Sequence, residues 1–457
     1  MLILVLSLLL SVEVAYASPN SPGGRGTTQD FSPLAFSHPM TGTPRTQRRN
    51  FQVGNSFFRN PWVAGPSSTP LRDGLGPVYN AVSCAACHIR DGRGPGLPEK
   101  DGKVLASLLF RFKYLKSFGQ YVDHPNYGGQ LQPQGIAGVP AEGQGYVKFK
   151  DIKGKFKDGE EYTLKKPIYH FTELKFGELD NRTSVSPRVA PHLVGVGLID
   201  SISDKSILEY EDQNDLDNNG ISGRPNIIES KVNPNRLVGR FGWRAEKSTL
   251  KEQNAAAFNG DIGITSDLNP IEDCPDIQIE CNSIYSEKTV ELEEKILNRV
   301  TTYTKFLSVP ARRNPSGKKV LRGEKVFKQI SCQNCHRPKY TTELNNEQPL
   351  LSEQEIYPYS DFLLHDMGEE LADVNAAGAE TLREWKTPPL WGLGLVKVVN
   401  KHQRLMHDGR ARNYNEAVHF LQHNKLDIVL IDINLGSGKN GIELANYINK
   451  TLNIPFV

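Results

Sequence analysis

Apolar side chains recur at near-helical spacing from Ser286 to Leu307, with Val290, Ile296, Leu297, Val300 and Phe306 along one stripe. Glu287, Glu291, Glu293 and Glu294 sit near its front, so the stretch predicts the strongest helix of the chain. Val320, Phe327 and Ile330, with Gly323 near the front, predict a shorter helix just before Ser331. The region 140–190 alternates instead, as in Gly145-Tyr146-Val147-Lys148-Phe149-Lys150, and predicts the strands of a small hairpin sheet. Leu2 to Leu10 is an unbroken apolar run that ends in the small-x-small pattern Ala15-Tyr16-Ala17. It is too short to span ~30 Å of hydrocarbon, and Glu13 would be costly there. Residues 1–17 therefore read as a secretory signal peptide. The mature chain is expected in the periplasm, with no membrane association after cleavage.

Composition narrows the function classes. The 457 residues carry 54 Lys+Arg against 52 Asp+Glu, a net charge of +2. That balance lacks the basic field that nucleic acid requires. A hydrophobic content of 38% suffices for a folded core. The 40 Gly and 29 Pro predict much irregular backbone.

The six cysteines form three pairs, Cys84/Cys87, Cys274/Cys281 and Cys332/Cys335. The outer pairs each continue with histidine, in Cys84-Ala85-Ala86-Cys87-His88 and Cys332-Gln333-Asn334-Cys335-His336. This is the attachment signature of c-type haem. Two thiols on one turn reach the two vinyl groups of a porphyrin, and the adjacent imidazole meets the iron from the same side. A tetrahedral zinc site and a redox-active dithiol are the alternatives. Neither needs histidine directly after the second cysteine twice. Cys274 and Cys281 lack that signature and suit a disulfide-closed loop in an oxidising compartment; two unpaired buried thiols are the alternative.

Each iron either takes a sixth ligand or keeps an open face. Met367, Met406, His365 and His407 follow the second attachment site and are the candidates. His192 reads as structural, with a pocket role open. Asp215, Asp217 and Asn219 precede Gly220 in the order of the first half of a calcium loop. Asn226 stands where that loop would carry its bidentate Glu, and an Asx-rich turn is the alternative.

Several stretches together resemble the di-haem c-type oxidoreductases, described as peroxidase-like or thiol oxidoreductases and distantly related to bacterial di-haem cytochrome c peroxidases. They run from Gly74-Leu75-Gly76-Pro77 through the first haem motif to Asp91-Gly92-Arg93-Gly94. Val196-Gly197-Leu198-Ile199, Asp217 to Arg224 and Gly239-Arg240-Phe241-Gly242-Trp243 follow. Thr387-Pro388-Pro389-Leu390-Trp391-Gly392 and His407-Asp408-Gly409-Arg410-Ala411-Arg412 complete the series. The chain departs from that pattern at Ile262-Gly263, where relatives usually have Met-Gly, and after Glu416-Ala417-Val418. The resemblance implies two covalently bound haems c and a peroxidase-like reaction, with one electron-transferring and one reactive haem. A redox partner protein or small electron donor, and peroxide, are the implied partners. Pure electron transfer, or haem-based sensing without turnover, are the rivals.

The tail resembles something else. Leu426-Asp427-Ile428-Val429-Leu430-Ile431-Asp432 reads as a buried strand and Gly441 to Ile448 as a helix. This is similar to the middle of a response-regulator receiver domain, with Asp432 at the phospho-acceptor position. One strand-helix-strand cannot bury both faces of its sheet, so phosphorylation at Asp432 is not expected. The expected fold class is thus mainly α with irregular loops: two cytochrome c-like haem modules plus a small β insertion, and a truncated α/β receiver-like C-terminal fragment. The expected boundaries are 1–17 for the signal, 18–285 and 286–416 for the haem modules, and 417–457 for the fragment.

Overall fold

A computed structural model describes residues 19–155, 161–284, 290–375 and 382–417. The expected signal peptide lies outside the described residues, as does the receiver-like tail beyond Ala417, Asp432 included.

The chain is not mainly α. Helix makes 26% and strand 21%, the latter spread over several small sheets. The alternating stretch forms a long antiparallel hairpin, Gln144–Lys155 with Glu161–Thr172, extended by Gly102–Lys103. A second sheet has Leu108–Leu115 at its centre, between Tyr121–Val122 and Thr183–Val189. Its central strand alternates too: Leu108, Phe110 and Phe112 are buried while the residues between them are less so. Phe110 then meets Tyr169 and Phe171 of the hairpin edge-on, at 5.3 and 5.0 Å between ring centroids. Period-2 burial over both sheets explains why the β content exceeds a small insertion.

The larger core is helical. Arg45–Arg59 packs on Glu294–Lys305. The contact is close because Gly54 has no side chain: a Cβ there would lie 2.1 Å from the Arg299 carbonyl oxygen. Phe51 and Phe58 fill the seam against Tyr303, at 4.7 and 5.1 Å. The second of these helices begins at Glu294 and not at Ser286. Leu292 N–H instead donates to the Thr265 carbonyl, and the Glu291 carboxylate accepts from Thr265 N–H, so residues before the helix are tied to a loop. Lys318–Gln329 forms the predicted helix ahead of the second haem motif.

The two ends of the described chain interleave. Thr27–Thr28 pairs in parallel with Val309–Pro310. Arg90 donates to the Val399 carbonyl and Asn400 to the Ile89 carbonyl. No helix among the described residues is long and apolar enough to cross a membrane.

Candidate functional site

The first motif folds as one helical turn, Cys84–Cys87, closed by His88 N–H donating to the Cys84 carbonyl at 2.9 Å. Cys87 is buried and Cys84 half-buried, and the two are not joined in a disulfide. His88 Nδ1 lies 2.7 Å from the Pro191 carbonyl oxygen. A carbonyl only accepts, so Nδ1 carries the proton and Nε2 keeps its lone pair. Burial, against weak backbone hydrogen bonds, pushes the imidazole down to about 4 and holds it neutral.

The second motif repeats this arrangement on different local structure. Cys332–Asn334 is a tight 3₁₀ turn that starts from Ser331 in the left-handed region, at φ 59°. His336 N–H donates to the Cys332 carbonyl at 2.9 Å. His336 Nδ1 meets the Tyr359 carbonyl oxygen at 2.7 Å, again leaving Nε2 free. Burial pushes this imidazole to about 4 as well. Phe327 from the preceding helix stands edge-on to both His336 and Tyr359, at 6.3 and 5.9 Å. A histidine whose second nitrogen is tied to a carbonyl is oriented and electronically prepared to bind a metal.

Burial holds three of the four thiols protonated. Burial pushes Cys87 and Cys332 up to about 12, and Cys84 higher still, so none is a thiolate near neutrality. Among the described residues the two pairs are not gathered into one cluster that could hold zinc.

Cys335 and His336 open onto a cavity of about 710 Å³, within the range of sites that hold a cofactor. Three of the four tryptophans of the chain, Trp243, Trp385 and Trp391, line it. Flat apolar walls beside the Cys335 thiol and the free imidazole nitrogen of His336 fit a tethered porphyrin. The first motif meets this cavity through Pro191, the residue that holds His88.

All four candidate sixth ligands line the same cavity. They differ in what their ligating atoms do. His365 has both nitrogens engaged, Nδ1 with the Ser222 carbonyl and Nε2 with the Asp361 carboxylate, each at 2.9 Å. Burial opposes its charge, but the Asp361 carboxylate outweighs this and holds its pKa well above the ordinary value. An imidazolium so paired offers no lone pair to iron. His407 is buried with Nε2 unpartnered, and burial pushes it down to about 3. Met406 has φ 69°, and its carbonyl accepts from Arg93. Met367 is half-buried. His192, read as structural, also lines the cavity, and both its nitrogens are buried without a full hydrogen bond. Only the packing of distant segments reveals this; the local sequence Ala190-Pro191-His192-Leu193 has no signal for it.

The acidic loop gathers Asp212 with Asp215 and Asp217, their oxygens within 4.8 Å of one another. Asn219 is not in that cluster; its side chain donates to Asp217. The Asp215 and Asp217 carboxylates already accept from the amides of Gly220 and Asn219. Cys274 and Cys281 are joined in a disulfide, with Cα atoms 5.8 Å apart.

Comparison with curated proteins and with solved structures finds no match. The family model described as "Di-haem oxidoreductase, putative peroxidase" matches residues 16–107 and 113–426. That span covers both Cys-x-x-Cys-His segments and the whole cavity wall between them, and on it the chain belongs to the di-haem oxidoreductase family.

Proposed function

We propose that the chain is an exported, peroxidase-like oxidoreductase with two haems c. Cys84 and Cys87 hold one, with His88 on its iron; Cys332 and Cys335 hold the other, with His336 on its iron. The observation that carries this reading is the repeated imidazole geometry: in both motifs Nδ1 is fixed 2.7 Å from a carbonyl and Nε2 keeps its lone pair. When bound, a haem supplies one-electron redox chemistry and a metal face where peroxide can be reduced. The chain's own residues then orient and shield. Pro191 and Tyr359 fix the two imidazole planes through their carbonyls. Phe327 keeps water from the second imidazole. Electrons arrive from a redox protein or a small donor.

The test is a pyridine haemochrome assay and intact mass on material matured by a haem-attaching host, followed by peroxide turnover with a reduced donor. Two haem masses, and turnover with at least one high-spin iron, are expected. Absence of any haem mass would end this reading. The rival of pure electron transfer is favoured by one observation, the unpartnered Nε2 of His407 in the cavity that Met406 and Met367 also line. Two low-spin irons that stay inert toward peroxide would select it.

A further inference from the structure

One wall of the cavity beside Cys335 and His336 carries cationic and N–H donor groups that the protein leaves partly unmet. Arg93, Lys386 and Trp391 line it and are 5%, 8% and 4% exposed. Arg93 gives one guanidinium N–H to the Met406 carbonyl, but its Nε has no acceptor. Trp391 Nε1 has none either. Lys386 lies over the Phe362 ring, its ammonium 5.8 Å from the centroid. Among the described residues no carboxylate pairs with Arg93 or Lys386. Burial, then the charges of Arg93, His88 and Lys386, push His192 down to about 3, which places both cations close to the same imidazole.

The surplus is local. Arg240 and Arg312, on the same lining, are matched by Asp204 and Glu324, and the half-buried Arg313 donates to the Gly394 carbonyl. The acids on the lining, Glu324 and Asp366, are already paired with Arg312 and Arg383. The Arg93 Nε–H and the Trp391 Nε1–H are buried without acceptors, and Asp408 and Asp361 favour the charges of Arg93 and Lys386 only from beyond ion-pair distance, so an anion in the cavity would complete this wall. Cys335, which opens onto this cavity, would together with Cys332 tether a porphyrin, which carries two carboxylates of its own.

We infer that Arg93, Lys386 and Trp391 form the seat of the propionate carboxylates of the haem tethered at Cys332 and Cys335. The inference rests on the di-haem reading. Arg93 Nε–H, Trp391 Nε1–H and the Lys386 ammonium donate, and the propionate oxygens accept. A free oxyanion such as phosphate or acetate shares this chemistry, and the test separates the two sources.

The experiment compares the matured wild-type chain with Lys386→Gln, Lys386→Arg and Trp391→Phe, by redox titration and resonance Raman spectroscopy. In Lys386→Gln the reduction equilibrium of one haem should shift about tenfold toward the ferric form, a fall of about 59 mV for a one-electron couple. Lys386→Arg should keep the wild-type potential. Trp391→Phe should shift the propionate bending bands without changing the haem count; it tests the seat alone if Lys386→Gln does not accumulate. Two haems with unchanged potential and unchanged bands in these variants would overturn the seat. A wild-type potential that moves with added inorganic phosphate or acetate, and no longer moves in Lys386→Gln, would assign the wall to an external anion and also overturn it. No haem at all in the wild type would instead refute the reading on which the seat rests.

Discussion

The His407 imidazole lies flat against the Trp385 indole, with ring centroids 3.8 Å apart and planes 11° from parallel. Trp385 is itself fixed, its Nε1–H donating to the Leu371 carbonyl at 2.8 Å. Arg244 covers the indole at 4.5 Å. The stack sets the plane in which His407 Nε2 faces the cavity. Trp385→Ala should destabilise the chain by about 3–5 kcal/mol, as for other buried tryptophans. Trp385→Phe keeps an aromatic face and should cost less than half of that. Denaturant midpoints of the two variants check the order.

Haem stoichiometry should divide by motif. With Cys332 and Cys335 both changed to Ala, the pyridine haemochrome count should fall from two to one while the Cys84/Cys87 site still loads. The reciprocal pair, Cys84→Ala with Cys87→Ala, should give the same count. A count of two in either double variant would contradict the assignment.

The buried Asp91 carboxyl gives a pH signature. It accepts from Ser37 and from Tyr303, each at 2.6 Å. Burial raises its pKa to about 6, and those hydrogen bonds offset only part of the rise. The unfolded chain titrates near ~3.9. The folded state therefore binds this proton more tightly. Its stabilising contribution is fully present below pH ~3.9 and fades as pH rises through about 6. The difference amounts to about 3 kcal/mol. Asp91→Asn removes the titration, so the stability of the variant relative to wild type should be better at pH 7 than at pH 4. Urea unfolding at the two pH values measures this.

Reduction of the Cys274–Cys281 bond should cost about 2.5 kcal/mol, the chain-entropy value for so short a loop. Cys281 packs in a small buried cluster with Val78 and Val139, next to the first haem motif. Cys274→Ser with Cys281→Ser should therefore lower the unfolding midpoint while leaving the haem count at two.

The two Cys-x-x-Cys-His segments are legible in the sequence because the pattern is local: thiols and imidazole sit within five residues. The hairpin over 144–172 and the helix before Ser331 were legible for the same reason, through short-range periodicity. The strand Leu108–Leu115 carries an alternation in Leu108, Phe110 and Phe112, but its last residues, from Lys113 on, lose the two-residue burial period, which weakens the local signal. The cavity wall could not be read at all. Arg93, His192 and the stretch holding Lys386 and Trp391 are three well-separated segments, and nothing near any of them in the chain shows that they share a wall. His365 illustrates the opposite failure. Its ligand character is plain in the sequence, whereas the Asp361 and Ser222 acceptors that occupy it are assembled only by the fold.

The Arg90–Val399 and Asn400–Ile89 bonds also bear on biosynthesis. The turn after Cys87-His88 cannot take its final shape until the segment near residue 400 has been made and has docked. During synthesis the first attachment motif thus emerges long before its neighbours exist. Until then that turn has only its own local bonds, Asp91 N–H to the His88 carbonyl and Gly92 N–H to the Ile89 carbonyl, to hold its shape.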